Sequence, residues 1–151
     1  MLVDRDARTN DPQVYAAGDC ASRPLVHYGR DGRLESVHNA IEQGKLAAAH
    51  ILGRKRPPED VPWFWSDQYD IKLQIAGLSQ GYDQLVTRGN PDDRSFAVFY
   101  FRQGDLIAVD AVNAGPEFIV AKKLIASTTR VAPERLGDTS VSMKDIMAEA
   151  A

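Results

Sequence analysis

The sequence predicts an α+β fold: a C-terminal antiparallel sheet with flanking helices, preceded by one strand and one helix of α/β type. Three observations carry this. Short β-prone runs between residues 71 and 112 are punctuated by Gly, Asn and Asp. After Pro116 the apolar residues recur at helical spacing instead. Ahead of both, a short apolar run stops at Gly18-Asp19, and a helix rich in small residues follows. Strands first and helices afterwards argue for an antiparallel sheet with its helices segregated from it.

A length of 151 residues suits one ordinary domain, or a small domain plus a piece of another. Apolar residues at 44% and charged residues at 26% are normal for a soluble globular chain. A formal net charge of −3 disfavours non-specific nucleic-acid binding. The single cysteine, Cys20, excludes an intrachain disulfide and a cysteine metal cluster, and fits a reducing, cytoplasmic setting. No apolar run approaches membrane-spanning length, and Met1 to Arg8 has no apolar stretch of signal-peptide size.

In chain order, Thr9-Asn10-Asp11-Pro12 is a turn cluster, and Val14-Tyr15-Ala16-Ala17 reads as a short strand. A strand ending in Gly18-Asp19 exposes a carboxylate past its C-terminal edge, where ligands bind in open α/β sheets. Residues 22 to 33, with Pro24, Gly29 and Gly32, read as a loop. Ser36 is an N-cap, with Glu35 adding negative charge beside the positive helix end. From there Val37, Ala40, Ile41, Gly44, Ala47, Ala48, Ile51 and Leu52 form one apolar helix face, expected to pack closely on a sheet. Gly53 and Pro57-Pro58 end the helix.

Pro57 to Asp60 reads as a linker. Both tryptophans follow in Pro62-Trp63-Phe64-Trp65-Ser66-Asp67-Gln68-Tyr69, an aromatic run with a polar tip at the seam between two halves. Ile71 to Ala76 alternates as a half-buried strand with Ile71, Leu73 and Ile75 inward. Gln84–Arg88, Ser95–Arg102 and Leu106–Val112 are further strands, the last two joined by a hairpin at Gln103-Gly104-Asp105. Helices are expected after Pro116, near residues 131–138, and from Met143 to about Ala150 behind a Ser142 cap.

The string Arg8-Thr9-Asn10-Asp11-Pro12-Gln13-Val14-Tyr15-Ala16-Ala17-Gly18-Asp19-Cys20-Ala21 resembles the second FAD-contact segment of pyridine-nucleotide disulfide oxidoreductase relatives. Residues 33 to 44 resemble the helix that follows it. The Trp63–Tyr69 run, with Lys72-Leu73-Gln74-Ile75-Ala76-Gly77, is similar to the FAD-dependent NAD(P)H:ferredoxin reductases of oxygenase systems. That is the putidaredoxin reductase and biphenyl dioxygenase ferredoxin reductase family. Val109–Asn113 and Leu136-Gly137-Asp138 fit the C-terminal domain of the same family.

The resemblance implies that residues 1–57 are the last part of an FAD-binding domain and residues 58–151 a reductase C-terminal domain. It places cofactor contacts at Gly18, Asp19, Glu35, Ser36, Val37, His38, Trp65 and Gln68. Asp19 would take a ribityl hydroxyl of FAD. The Val37 and His38 amides would meet the flavin pyrimidine edge, with the His38 side chain an incidental neighbour. Trp65 would lie near the isoalloxazine on the acceptor side, its loop held by hydrogen bonds from Ser66, Asp67 and Gln68.

No Gly-x-Gly-x-x-Gly opens the chain, and none follows for a nicotinamide nucleotide. The implied parent is therefore an enzyme, a ferredoxin–NAD(+) reductase, whereas this chain alone is expected to be inactive. NAD(P)H binding belongs to the parent. The implied partner is a [2Fe-2S] ferredoxin, with Arg54, Lys55, Arg56 and Lys72 as the candidate residues to attract its acidic surface. Self-association through an exposed seam is also expected; neither nucleic acid nor a membrane is. Two alternatives stay open here: another FAD-dependent oxidoreductase of ascorbate-radical reductase or apoptosis-inducing-factor type, or a free-standing interaction module.

Overall fold

The computed structural model describes residues 1–150 and divides into two compact units, Met1–Pro62 and Trp63–Ala151. No helix among the described residues is long and apolar enough to cross a membrane.

The first unit contains strands β1 (Ser22–Leu25) and β2 (Arg30–Arg33), paired antiparallel, and helix α1 (Val37–Ile51). The segment expected to be a loop is thus a hairpin, turned at Gly29 with φ +62°. Pro24 does not prevent this, because in a two-stranded ribbon its missing N–H can face outward. Conversely, Val14–Ala17 is not a strand. Its backbone closes a local loop instead, through hydrogen bonds from Thr9 N to Val14 O at 2.9 Å and from Ala16 N to Ala7 O at 3.0 Å. A run of four apolar residues extends only where a neighbouring strand accepts its bonds, and here Tyr15 makes a single bridge, to Arg8.

Helix α1 has the bounds its sequence predicts. Ser36 caps it, accepting from the Asn39 amide at 3.2 Å. Its orientation is the reverse of the one expected. Val37, Ile41, Ile51 and Leu52 are exposed, while Asn39 and Gln43 are buried at 2% and 0%. The buried face satisfies itself by hydrogen bonding, and the apolar stripe lies exposed on this unit.

The second unit is a five-stranded antiparallel sheet in the order β3-β4-β7-β6-β5. Its strands are β3 (Trp63–Gln68), β4 (Ile71–Gly77), β5 (Gln84–Asn90), β6 (Ser95–Arg102) and β7 (Asp105–Val112). Helices α2 (Gly115–Ser127), α3 (Pro133–Gly137) and α4 (Met143–Glu149) follow. Tight hairpins set the register: Tyr69 (φ +55°) turns β3 into β4, and Gln103 and Gly104 (φ +53° and +82°) turn β6 into β7.

The register runs Trp63–Ala76–Val109–Phe99–Val86 straight across the five strands. Trp63 touches Phe118 of α2, and Val86 lies under Gly137 of α3, so this row faces the helices. Phe99, Phe101, Val109, Leu124, Leu136 and Ile146 make the fully buried core. Ile71, Leu73 and Ile75 therefore point to the opposite face, where they are half-buried. The expectation that they face the core fails because alternation fixes which residues share a face, not which face the helices cover.

Candidate functional site

In the first unit the Gly18-Asp19 pair forms a single 3-10 turn, Gly18–Cys20, packed against α1. Gly18 has φ +80° and lies beside Ala40, so backbone conformation rather than space selects glycine. Asp19 is exposed. Ser36, Val37 and His38 start α1, and the amides of Val37 and His38 precede the first bond of the helix ladder, Ala40 N to Ser36 O. One unit thus gathers the turn carboxylate and a helix N-terminus. Glu35 is exposed and ion-paired with Arg33 at 2.8 Å.

Beneath this surface runs a polar chain. The Gly18 amide donates to Gln43 Oε1 at 2.6 Å. Asn39 Nδ2 donates to the same oxygen at 3.3 Å and to Leu34 O at 2.8 Å. Arg23 Nε donates to Asn39 Oδ1 at 3.2 Å, and its Nη1 reaches Glu59 at 3.3 Å. Arg5 meets the other Glu59 oxygen at 3.2 Å. Burial pulls the Arg23 pKa down, and the Glu59 carboxylate pulls it back up. Because Oε1 of Gln43 accepts two N–H donors, the amide orientation is fixed. Its Nε2 has no acceptor among the described residues.

His38 also makes a side-chain contact within its own unit. Its side chain is 14% exposed and its Nε2 lies 3.1 Å from Asp60 Oδ2. The other oxygen of Asp60 accepts the Val61 amide at 2.8 Å. The helix start and the segment just before Trp63 are thereby pinned to each other.

The second unit carries the aromatic run on an edge strand, not a loop. The ladder to β4 holds Ser66, Asp67 and Gln68; all three are exposed, and their side chains do not carry the segment as expected. Trp63 and Trp65 face the same side and stack at 5.0 Å between centroids. Trp63 continues onto Phe118 at 5.8 Å, with Lys122 Nζ 5.5 Å from its ring centre. Trp65 stays 45% exposed. Of the expected site residues, six lie together in the first unit, and Trp65 and Gln68 lie in the second. Sequence reasoning overlooked Arg23, Asn39, Gln43 and Asp60. The signal for two of them was an Asn and a Gln four apart on one helix, which share a face.

Residues 63–147 match the family model described as Reductase C-terminal. The chain belongs to the reductase C-terminal family. Ahead of that domain, residues 1–44 match the pyridine nucleotide-disulphide oxidoreductase model. Curated ferredoxin reductases are similar to this chain over nearly its whole length. It is 44% identical over 147 residues to the 5,5'-dehydrodivanillate O-demethylase ferredoxin reductase subunit of Sphingobium sp., covering 97% of this chain and 36% of that protein. With putidaredoxin reductase of Pseudomonas putida it shares 43% over 150 residues, again 36% of the relative and 99% of this chain. Among solved structures, the covalent putidaredoxin reductase–putidaredoxin complex matches with a TM-score of 0.94 at 43% identity, covering 99% of this chain and 36% of that one. The ferredoxin reductase of the CYP199A2 system from Rhodopseudomonas palustris matches with a TM-score of 0.90 at 41% identity, covering 100% and 37%. The chain spans about a third of the length of the curated relatives it matches.

Proposed function

We propose that this chain forms the C-terminal part of an FAD-dependent NAD(P)H:ferredoxin reductase that feeds an oxygenase through a [2Fe-2S] ferredoxin. The observation that carries the proposal is the packing of the Gly18–Cys20 turn on α1, which joins an exposed carboxylate to a helix N-terminus in one unit. The residues fit a flavin dinucleotide. Asp19 would accept hydrogen bonds from ligand hydroxyls, and the amides of Val37 and His38 would favour negative charge at the pyrimidine edge. Ser36 shapes that helix start and Glu35 borders it. In the second unit, Trp65 and Gln68 would line the acceptor side. When bound, the flavin converts two-electron hydride uptake into single-electron delivery. The protein's residues orient it and set its electrostatics. The pyridine nucleotide would bind to parts of the reductase outside this chain, and a cytoplasmic location follows from the pool that supplies it.

By itself the chain supplies only one side of such a site, and it is inactive in this reading. FAD added to the purified chain is expected to stay in its free-solution spectrum. A graft of this chain into putidaredoxin reductase of Pseudomonas putida, replacing the segment it matches, is expected to hold flavin and reduce ferredoxin. Tight stoichiometric flavin binding with NADH oxidation by the chain alone, or a folded graft that takes up no flavin, would sink the proposal.

A further inference from the structure

The polar chain under the Gly18–Cys20 turn has no place in the flavin contacts proposed for Asp19 and the α1 amides. It is an odd core for a small unit. Apolar residues of similar volume often match or exceed the stability of buried polar groups, yet here Gln43 is 0% exposed, Asn39 2% and Arg23 9%. The bonds form one connected path. They start at the Gly18 amide and end at Glu59, which precedes Trp63 by four residues. The left-handed Gly18 is closed within its turn by one backbone bond, Ala21 N to Gly18 O at 3.0 Å, while Met1 N to Cys20 O at 2.6 Å and Cys20 Sγ to Ala17 O at 3.4 Å hold the far end of the turn and leave the Gly18 amide itself to be fixed. The second fixed point is Gln43 Oε1, at 2.6 Å from the Gly18 amide. Gln43 is in turn fixed by Asn39, and Asn39 by Leu34 O and Arg23.

We propose that Gln43 is a positioning residue for dinucleotide binding, holding the Gly18 amide so that Asp19 is presented in a fixed orientation, with Asn39 and Arg23 as its supports. This rests on the proposed flavin site and adds a residue to it. Gln43 does not touch the ligand's reacting atoms; it acts through the turn. Its buried Nε2, which has no acceptor among the described residues, fits the same role. An amide retained at that cost is there for its Oε1, since a core selected for stability alone would place an apolar side chain at this helix position.

The test has two arms. In the first, amide hydrogen exchange is measured by NMR on the 151-residue chain and on Gln43→Met, which keeps the side-chain volume and loses the acceptor. The Gly18 amide is expected to be protected in the original chain. It should lose protection at least about tenfold in the variant, the size of one hydrogen bond, while the amides of α1 keep theirs. A Gly18 amide that exchanges at solvent rates in the unmodified chain overturns the lock, and does so whether or not the variant folds.

In the second arm, the graft into putidaredoxin reductase is compared with and without Gln43→Met for FAD dissociation. The expected result is weaker flavin binding by about tenfold, with restoration in Gln43→Glu, whose carboxyl oxygen supplies the same acceptor. A graft that holds flavin equally well with Met at 43 overturns the role and leaves the functional reading standing. A folded unmodified graft that takes up no flavin overturns both.

Discussion

Arg88 shows how much one side chain decides in the second unit. It is 7% exposed and engages four partners: Glu117 of α2 at 3.2 Å, the carbonyls of Leu136 and Asp138, and Val141 O at 2.7 Å. One guanidinium fork thereby ties β5 to the end of α3 and to the loop before α4. Arg88→Met leaves Glu117 and three carbonyls short of a donor, and is expected to cost about 3–5 kcal/mol in urea unfolding. On the opposite sheet face, Tyr100 donates to Asp110 Oδ2 at 2.8 Å, with Tyr82 edge-on at 5.2 Å. Burial, then the hydrogen bond to Asp110, push the Tyr100 pKa up to about 12. A pKa raised on folding means that the stabilisation is complete below the unfolded value near 10 and fades as pH climbs toward 12. Ultraviolet titration should therefore show one of the five tyrosines ionising late, as the unit loosens across that window. Asp110→Asn should lower the late step only partly, because burial is the larger cause.

Among elements, the β5–β6 pair depends on Gly89. It has φ +84°, and a Cβ there would come within 2.6 Å of Ser95 O. Backbone cannot yield as a side chain can, so Gly89→Ala is expected to destabilise the unit by roughly 2–3 kcal/mol, read from the urea midpoint. Four of the five sheet strands were readable because β-prone runs between turn residues determine strand and hairpin locally: Ser95–Arg102 has the bounds expected and Asp105–Val112 starts one residue early, whereas β3 was expected to be a loop. The β1–β2 hairpin was not readable, since four-residue strands around Pro24 and Gly29 carry no period. Helix α1 was readable in extent, through Ser36 and Gly53, but not in orientation. Its apolar stripe of Val37, Ile41 and Ile51 is what periodicity reads, whereas the polar face is buried through the tertiary partners of Asn39 and Gln43, which no local pattern announces. The site followed the same division. Local features such as the Gly18 turn and the Ser36 cap were legible, whereas Asp60, the distant partner of His38 along the chain, was not.

At the scale of the molecule, the two units differ in what holds them. The second has a core of large side chains, from Phe99 and Phe101 to Leu124, Leu136 and Ile146. In the first, the buried apolar residues are Val3, Ala7, Ala16, Ala21, Leu25, Leu34 and Val61, with no aromatic among them, and Arg23, Asn39 and Gln43 share the interior. A polypeptide of residues 63–151 is accordingly expected to melt cooperatively, at the temperature of the higher transition of the whole chain. A polypeptide of residues 1–62 is expected to give no cooperative transition by circular dichroism, being short of apolar burial for its size. Equal melting of both pieces would contradict this division.

The stacked pair on β3 has an optical consequence. Trp63 and Trp65 are the only two indoles in the chain, and at 5.0 Å they are close enough to share an excited state. All tryptophan emission thus originates at one edge of one sheet. A coupled band in the near-ultraviolet dichroism would report the geometry of that edge, and a quencher in solution would reach it through the half-exposed face of Trp65. Anything that settles there changes the colour and yield of the whole protein's fluorescence at once.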